Sequence, residues 1–445
     1  MQMNLLTRGP ERWRKKRVAF RALLLLSIVL RFVIPGNAQE FRLFQHTVQV
    51  HGFASQGYVY TNHNNWLTMN TSGSGSAEMT DMGLNVSTAL TDKLRVGAQV
   101  YDRELGRLGQ WHPSLDWAFA DYRFASWFGV RGGKVKTTLG LYNDTQDLDF
   151  LRTFALLPQS IYPTDLRDTT IAHSGGDVYG KFDLPRHAGA LSYTVYAGHR
   201  SDSMYSGYPY VLTQYGSFFH HYGGLQYGAD LRWETPLKGL LLGVSRMDQD
   251  IRGDGENSGF PPLQTSKQPK GLLLQAPRMD EGNLAQGQAG WRPVWEKSKQ
   301  DWTNQFYGQY TRGPLQISSE YRRYFRDQII LSGMAEDLDD IRGWYVAGSY
   351  RVCKRLEVGS YYSHYTVSNT FMNPPKDPDL PANHEYDKVI TGRVDLNRFW
   401  NIKIEGHFID GFGNAPYPAG FYPQQNPGGF RRNTNGLVIK TGFNF

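Results

Sequence analysis

GLVIKTGFNF, residues 436–445, closes the sequence. In an extended strand successive side chains point to opposite faces. Leu437, Ile439, Thr441, Phe443 and Phe445 therefore share one face, and Val438, Lys440, Gly442 and Asn444 share the other. Terminal residues are ordinarily frayed and polar. An apolar stripe that runs to the last phenylalanine needs something to cover it.

The same alternation recurs along the chain in segments of about ten residues, the length of a tilted strand crossing a bilayer. Sixteen are expected, at 46–60, 79–90, 93–102, 115–124, 127–139, 175–184, 188–200, 222–234, 238–249, 301–311, 314–326, 341–351, 354–367, 385–397, 400–410 and 433–445. Seven short links join them in pairs: LTDK, FASW, LPRHA, TPLK, RGP, VCKR and NRFW. They carry the usual turn residues. Eight long links alternate strictly with the short ones, at 61–78, 103–114, 140–174, 201–221, 250–300, 327–340, 368–384 and 411–432. A transmembrane antiparallel β-barrel has this order, with short turns on one side of the membrane and long loops on the other. A soluble sandwich has no reason to keep it.

The dyads assign the faces. Leu225, Tyr227, Ala229, Leu231 and Trp233 oppose Gln226, Gly228, Asp230 and Arg232. Ile402, Ile404, Gly406 and Phe408 oppose Asn401, Lys403, Glu405 and His407. The apolar set faces lipid and the charged set lines a wet interior; the reverse costs about 2–4 kcal/mol per charge near the midplane. Tyr58, Tyr60, Trp117, Trp127, Trp233, Trp344 and Trp400, near strand ends, fit interfacial girdles. Composition agrees. Of 445 residues 14 % are aromatic and 48 are Gly, yet mean hydropathy is only −0.52. There is no surplus of apolar residues for several solid cores.

Residues 1–38 read as a secretory signal peptide. A basic stretch precedes Ala22–Leu30, which is too short for a spanning helix of roughly 20 residues, and Gly36 and Ala38 mark cleavage after Ala38. That segment holds eight basic residues and one acid; removing them from totals of 48 and 41 leaves 40 of each. The remainder is neutral. With no RNP, helix-turn-helix or zinc-finger spacing, nucleic acid is not an expected partner. The single cysteine, Cys353, forms no internal disulfide. DQDIRGDGE (248–256) departs from a calcium loop at Arg252, and His220-His221 lacks a third ligand nearby, so no metal or cofactor is expected.

Two stretches carry a family resemblance. The tail, through Leu437, Ile439, Phe443 and Phe445, resembles the C-terminal assembly signal of outer-membrane barrel proteins, which implies recognition of Ile439, Phe443 and Phe445 by the barrel-assembly machinery. GGKVKTTLGLYNDTQDLDFLRTFALLPQSIY (132–162) resembles the junction of fifth strand and third loop in Gram-negative outer-membrane porins of the 16-stranded type. The resemblance implies a bacterial outer-membrane location among outer-membrane lipid, a homotrimer, and a third loop (140–174) folded inward to narrow a water-filled channel for small hydrophilic solutes or ions.

Selectivity would then reside in lumen charges. The expected lining comprises Arg95, Asp121, Arg123, Lys134, Lys136, Glu320, Arg322 and Arg393, facing Asp144, Asp147, Asp149 and Arg152 of the third loop. Five acid–base neighbours two apart read as wall pairs: Asp121/Arg123, Asp230/Arg232, Glu320/Arg322, Arg393/Asp395 and Lys403/Glu405. Lys134 and Lys136 lack such an acid and read as a basic strip before the loop. Leu148, Leu151, Phe154 and Ala155 fall at helical spacing, so a short helix is expected inside it. The aromatic run Tyr205–Tyr222 reads as packing between loops. No catalytic residues are expected. The alternatives are an outer-membrane barrel enzyme of phospholipase or protease type, and a structural or adhesin barrel. An energised receptor would need a plug domain, for which 39–45 leave no room.

Overall fold

The computed structural model describes residues 39–43, 45–203, 205–214, 217–257, 292–369, 379–414 and 426–445. The signal segment lies outside the described residues. The strands are β1 (Gln39–Leu43), β2 (His46–Thr61), β3 (Ser76–Ala89), β4 (Leu94–Leu105), β5 (Ser114–Ala125), β6 (Phe128–Lys136), β7 (Ala172–Asp183), β8 (Ala190–Ser201), β9 (Ser217–Glu234), β10 (Leu240–Asn257), β11 (Arg292–Arg312), β12 (Leu315–Ile330), β13 (Ala335–Arg351), β14 (Leu356–Asn369), β15 (His384–Asp395), β16 (Trp400–Gly411) and β17 (Asn433–Asn444). Each pairs antiparallel with the next, and β17 returns to β2, from Gly436↔Thr61 to Asn444↔Phe53. The result is a closed barrel of sixteen strands, β2–β17, with no free edge in the ring.

The tail is thus the closing strand. Leu437 and Ile439 lie on the exposed outer face, while Val438 and Lys440 are buried inside. Phe445 exchanges two backbone hydrogen bonds with Gly52, at 2.9 and 3.2 Å. Where β17 ends, β1 takes over the same flank of β2, from Gln39↔Val50 to Leu43↔His46. The sequence reading missed β1: five residues are too few to show a membrane-crossing period.

Alternation builds the two surfaces as expected. Leu225, Tyr227, Leu231 and Trp233 are exposed outside, whereas Gln226 and Asp230 are buried inside. Ile404 and Phe408 oppose buried Lys403, Glu405 and His407. Trp117 corrects the girdle expectation. Register sets it opposite the buried Gln99, and it stacks on Phe119 at 5.2 Å. Strands β9 to β13 run 16 to 21 residues, longer than a crossing needs. Their extra length projects on the long-loop side, where polar runs such as Glu296–Lys299 hide the alternation.

The interior is not uniformly wet. Val59, Met79, Leu105, Ile409 and Val438 of the wall pack with Trp66, Leu67 and Met69 after β2, Leu108 after β4, and Ala155 and Leu156 after β6. A second cluster joins Leu157, Ile161 and Tyr162 to Tyr345, Ala347, Tyr361 and Val389. Each fully buried large side chain contributes about 1.5–3 kcal/mol. Helix α1 (Gly207–Gln214) sits between β8 and β9, with Tyr210 against the first cluster and Tyr208 and Leu212 against Phe219 and Tyr222.

Candidate functional site

Residues 137–171, between β6 and β7, bond to inner-face side chains around most of the ring. The neck is stapled by Asn143, whose Nδ2 donates to the carbonyls of Thr137 and Thr170, both at 2.8 Å. At Gly140 (φ +66) the chain turns against the wall; a Cβ there would overlap the Gln305 and Glu320 side chains. Gly140 N–H donates to Ser245 Oγ (2.9 Å), and Leu141 N–H to Glu320 Oε2 (3.0 Å). Glu320 also accepts from Tyr162 and Tyr345, each at 2.8 Å, and from Gln305 at 2.6 Å.

Beyond the neck the loop is held by wall charges on two flanks. On one, Asp147 pairs with Lys136 and accepts from Gln99 at 2.6 Å. Asp116 beside it pairs with Arg167 of the loop at 3.0 Å. On the other, Lys403 Nζ donates to Asp149 Oδ1 (2.9 Å) and to the carbonyls of Asp149 (2.7 Å) and Phe154 (3.0 Å). Lys440 lies 3.7 Å from Asp149 and 3.1 Å from Asp81. Glu405 accepts from the amides of Ala155 (2.9 Å) and Leu156 (3.2 Å). His407 sits behind it, Nδ1 2.7 Å from Asp387 and Nε2 3.1 Å from Glu405.

These bonds explain why the expected loop helix is absent. Only 3-10 turns form, at Asn143–Thr145, Asp149–Leu151 and Thr164–Thr169. The Asp149 and Phe154 carbonyls and the Ala155 and Leu156 amides are taken by Lys403 and Glu405, and Arg152 is extended (φ −113, ψ 151). Charged donors and acceptors displace the intrahelical bonds of a segment too short to propagate a helix.

The remaining expected residues are placed as follows. Asp230/Arg232 and Arg393/Asp395 pair directly, at 2.9 and 2.7 Å. The other three neighbours do not. Asp121 accepts from Tyr179 (2.6 Å), Glu320 and Glu405 bond the loop, and Lys403 takes Asp149. Arg322 Nη1 donates to the Ile161 carbonyl (2.5 Å), and Arg393 to that of Arg152 (3.0 Å). Arg152 itself donates to the carbonyls of Thr145 and Gln146, each at 2.7 Å. Arg95 donates to Ser87 Oγ (3.1 Å), and exposed Arg123 has no ion-pair partner among the described residues. Lys134 and Lys136 do not form a strip. Lys136 is bound to Asp147. Register sets Lys134 opposite Ala118 and Ser174, and its ammonium donates to the Leu115 carbonyl at 2.5 Å. A bulge at Asp116 and Gly133 (φ +129) break the regular alternation there.

The loop carboxyls differ by partner. Burial opposes ionisation of Asp147 and Asp149, yet Lys136 and Arg167 hold the first, and Lys403 and Lys440 the second, below the ordinary carboxylate value. Asp144, with no wall cation bonded to it, is pushed up by burial. Lys403 and Lys440 are loop tethers that alternation alone could have flagged only as lumen charges; Asp116, displaced by its bulge, and its partner Arg167, on the loop itself, alternation does not flag.

A closed sixteen-stranded barrel, apolar outside and charged within, is the fold of bacterial outer-membrane β-barrels. Among solved structures the chain is similar to outer-membrane expressed OmpT of Vibrio cholerae, with 11 % identity over 92 % of this chain and 100 % of that one and a TM-score of 0.52. It is similar to an anion-selective porin from Comamonas acidovorans, with 12 % identity, 90 % and 100 % coverage and a TM-score of 0.52. OmpF of Salmonella typhi, solved in complex with daunomycin, gives 11 % identity, 92 % and 100 % coverage and a TM-score of 0.52. No protein-family model and no curated protein matches the sequence. At these identities the likeness is one of fold.

Proposed function

We propose that the protein is an outer-membrane porin, a channel for passive diffusion of small hydrophilic solutes or ions. The observation that carries this is the interior. A segment of 35 residues lies inside a membrane barrel and is clamped to the charged wall by Lys136, Lys403, Glu320 and Glu405. Such a loop narrows the lumen and fixes which charges a solute meets. The unpaired cation Arg123, with Arg95 nearby on the short-turn side, then tilts selectivity toward anions.

The protein acts without covalent chemistry on this reading. His407 has both ring nitrogens on carboxylates, and among the described residues no hydroxyl hydrogen-bonds to it. Homotrimeric assembly and recognition of the Phe445 tail by the barrel-assembly machinery follow from the resemblance; that tail is consumed in the closing seam with Gly52. Reconstitution in planar bilayers tests the reading. Discrete ion-conducting steps are expected, with a reversal potential of anion sign in a salt gradient. A silent bilayer from correctly folded barrel would favour a structural or adhesin role.

A further inference from the structure

The inner wall should be polar wherever the lumen is open, and on β5 it is not. Trp117 and Phe119 share the inward face with Asp121 and Arg123, and their rings stack at 5.2 Å. Phe53 and Phe219, also inward and without a hydroxyl, are buried. Trp117 and Phe119 are only half-buried, and the indole N–H of Trp117 has no hydrogen-bond partner among the described residues. A tryptophan packed for structure ordinarily satisfies that donor.

The rings border a bare stretch of wall. Register puts Gly97, Phe119, Gly133, Gly175 and Gly198 in one row across β4 to β8, so Phe119 is its single side chain. The indole covers Gly97, where a Cβ would come within 3.1 Å of it. On the other side, a Cβ at Gly133 or Gly175 would lie 2.2 Å from a carbonyl oxygen of the neighbouring strand, so no larger residue fits. One row nearer the short turns, about 7 Å along the strands, stand Arg95, Asp121, Arg131 and Asp177, with Arg123 one row further. Arg131 pairs with Asp177 at 2.9 Å, and Asp121 accepts from Tyr179 at 2.6 Å. Arg95 and Arg123 are exposed, with no ion-pair partner among the described residues. Three cations thus meet two acids. Their surroundings are balanced. Lys136, Arg167 and Arg103 match Asp147, Asp116 and Asp168 at the loop, and Lys181 pairs with Glu234. The adjoining turns carry Lys93 with Asp92 and Arg186 with Asp183.

We propose that this part of the lumen binds aromatic carboxylates. The stacked rings offer a flat apolar face to an aromatic ring, and the bare glycine row leaves it room. Arg95, with Arg123 beyond it, takes the carboxylate in charge-assisted hydrogen bonds that match guanidinium geometry. A neutral sugar would use the rings but leave the surplus cation unmatched, and an aromatic cation would meet it as like charge. The proposal rests on the channel reading, of which it names the solute class.

The test is binding of benzoate, cyclohexanecarboxylate, benzyl alcohol and glucose to the full-length protein in detergent, read by calorimetry, beside block of chloride current by the same probes in planar bilayers. Benzoate should bind about tenfold more tightly than any of the other three, and should reduce the current over the same concentrations. Phe119→Leu should bring benzoate down to the level of cyclohexanecarboxylate, and Arg95→Gln to that of benzyl alcohol, each with the melting temperature kept. Equal binding of benzoate and cyclohexanecarboxylate would overturn the proposal. So would tighter binding of glucose, or an unaltered benzoate affinity in the double variant Arg95→Gln/Phe119→Leu. A conducting barrel indifferent to benzoate would refute this site alone. A barrel that binds benzoate by calorimetry yet passes no current would refute the channel reading and leave the site standing.

Discussion

Lys403 on β16 and Arg123 on β5 are both cations set by strand alternation inside the barrel, but they meet opposite fates. Lys403 is fully buried, and its ammonium is spent on three oxygens of the loop. Arg123 is exposed and has no ion-pair partner among the described residues. Charge and facing are the same; what differs is whether the loop lies against that part of the wall. A lumen charge that the loop has captured holds the constriction in place. A lumen charge that the loop leaves alone is what a passing ion feels.

Removing a captured charge should have the largest effect. Lys403→Met leaves Asp149 buried with only the more distant Lys440, and breaking such a pair costs roughly 3–5 kcal/mol. Thermal unfolding should fall accordingly, and bilayer currents should become larger and noisier as the loop detaches. Glu320→Gln keeps shape but weakens the acceptor of Leu141, Tyr162, Tyr345 and Gln305. A loss of about 1–3 kcal/mol is expected in denaturant titration.

Acid should probe the same tethers. Asp147 and Asp149 have folded-state values below the ordinary one. Their contribution is therefore present above the usual carboxylate range and is lost as pH falls through the lowered values. The part of any conductance change that comes from these two tethers should appear only below the ordinary carboxylate range. Asp144, shifted the other way, takes up its proton first and disturbs no wall bond.

The uncaptured charges should act on selectivity alone. Arg95→Glu with Arg123→Glu should move the reversal potential toward cations by a sizeable fraction of the ~59 mV per decade limit, with melting temperature unchanged. Lys134→Gln should give the smallest shift, since its ammonium rests on the Leu115 carbonyl. A shift as large as that of the arginine pair would erase the distinction between captured and free charge.

How much of this was legible depended on regularity. The sixteen crossings, the closing tail and the inner set on β16 follow from a period of two. The errors fall where that period breaks or where a partner comes from elsewhere in the chain. Lys134 and Lys136 follow directly on the distortion at Gly133 and face the bulge at Asp116 on the neighbouring strand. The pairs Glu320/Arg322 and Lys403/Glu405 are correct in face but wrong in partner, because the loop supplies better-placed groups from more than 150 residues away. The helix expected around Leu148–Ala155 fails for the same reason. Strand β1 was invisible because it pairs beyond the point where β17 ends.

Single-channel conductance of the intact protein beside the Lys403→Met/Glu405→Gln variant tests the central claim most directly. A clamped loop gives small, steady steps in the intact protein and clearly larger, fluctuating ones in the variant. Identical steps from two folded barrels would show that these bonds do not hold the constriction.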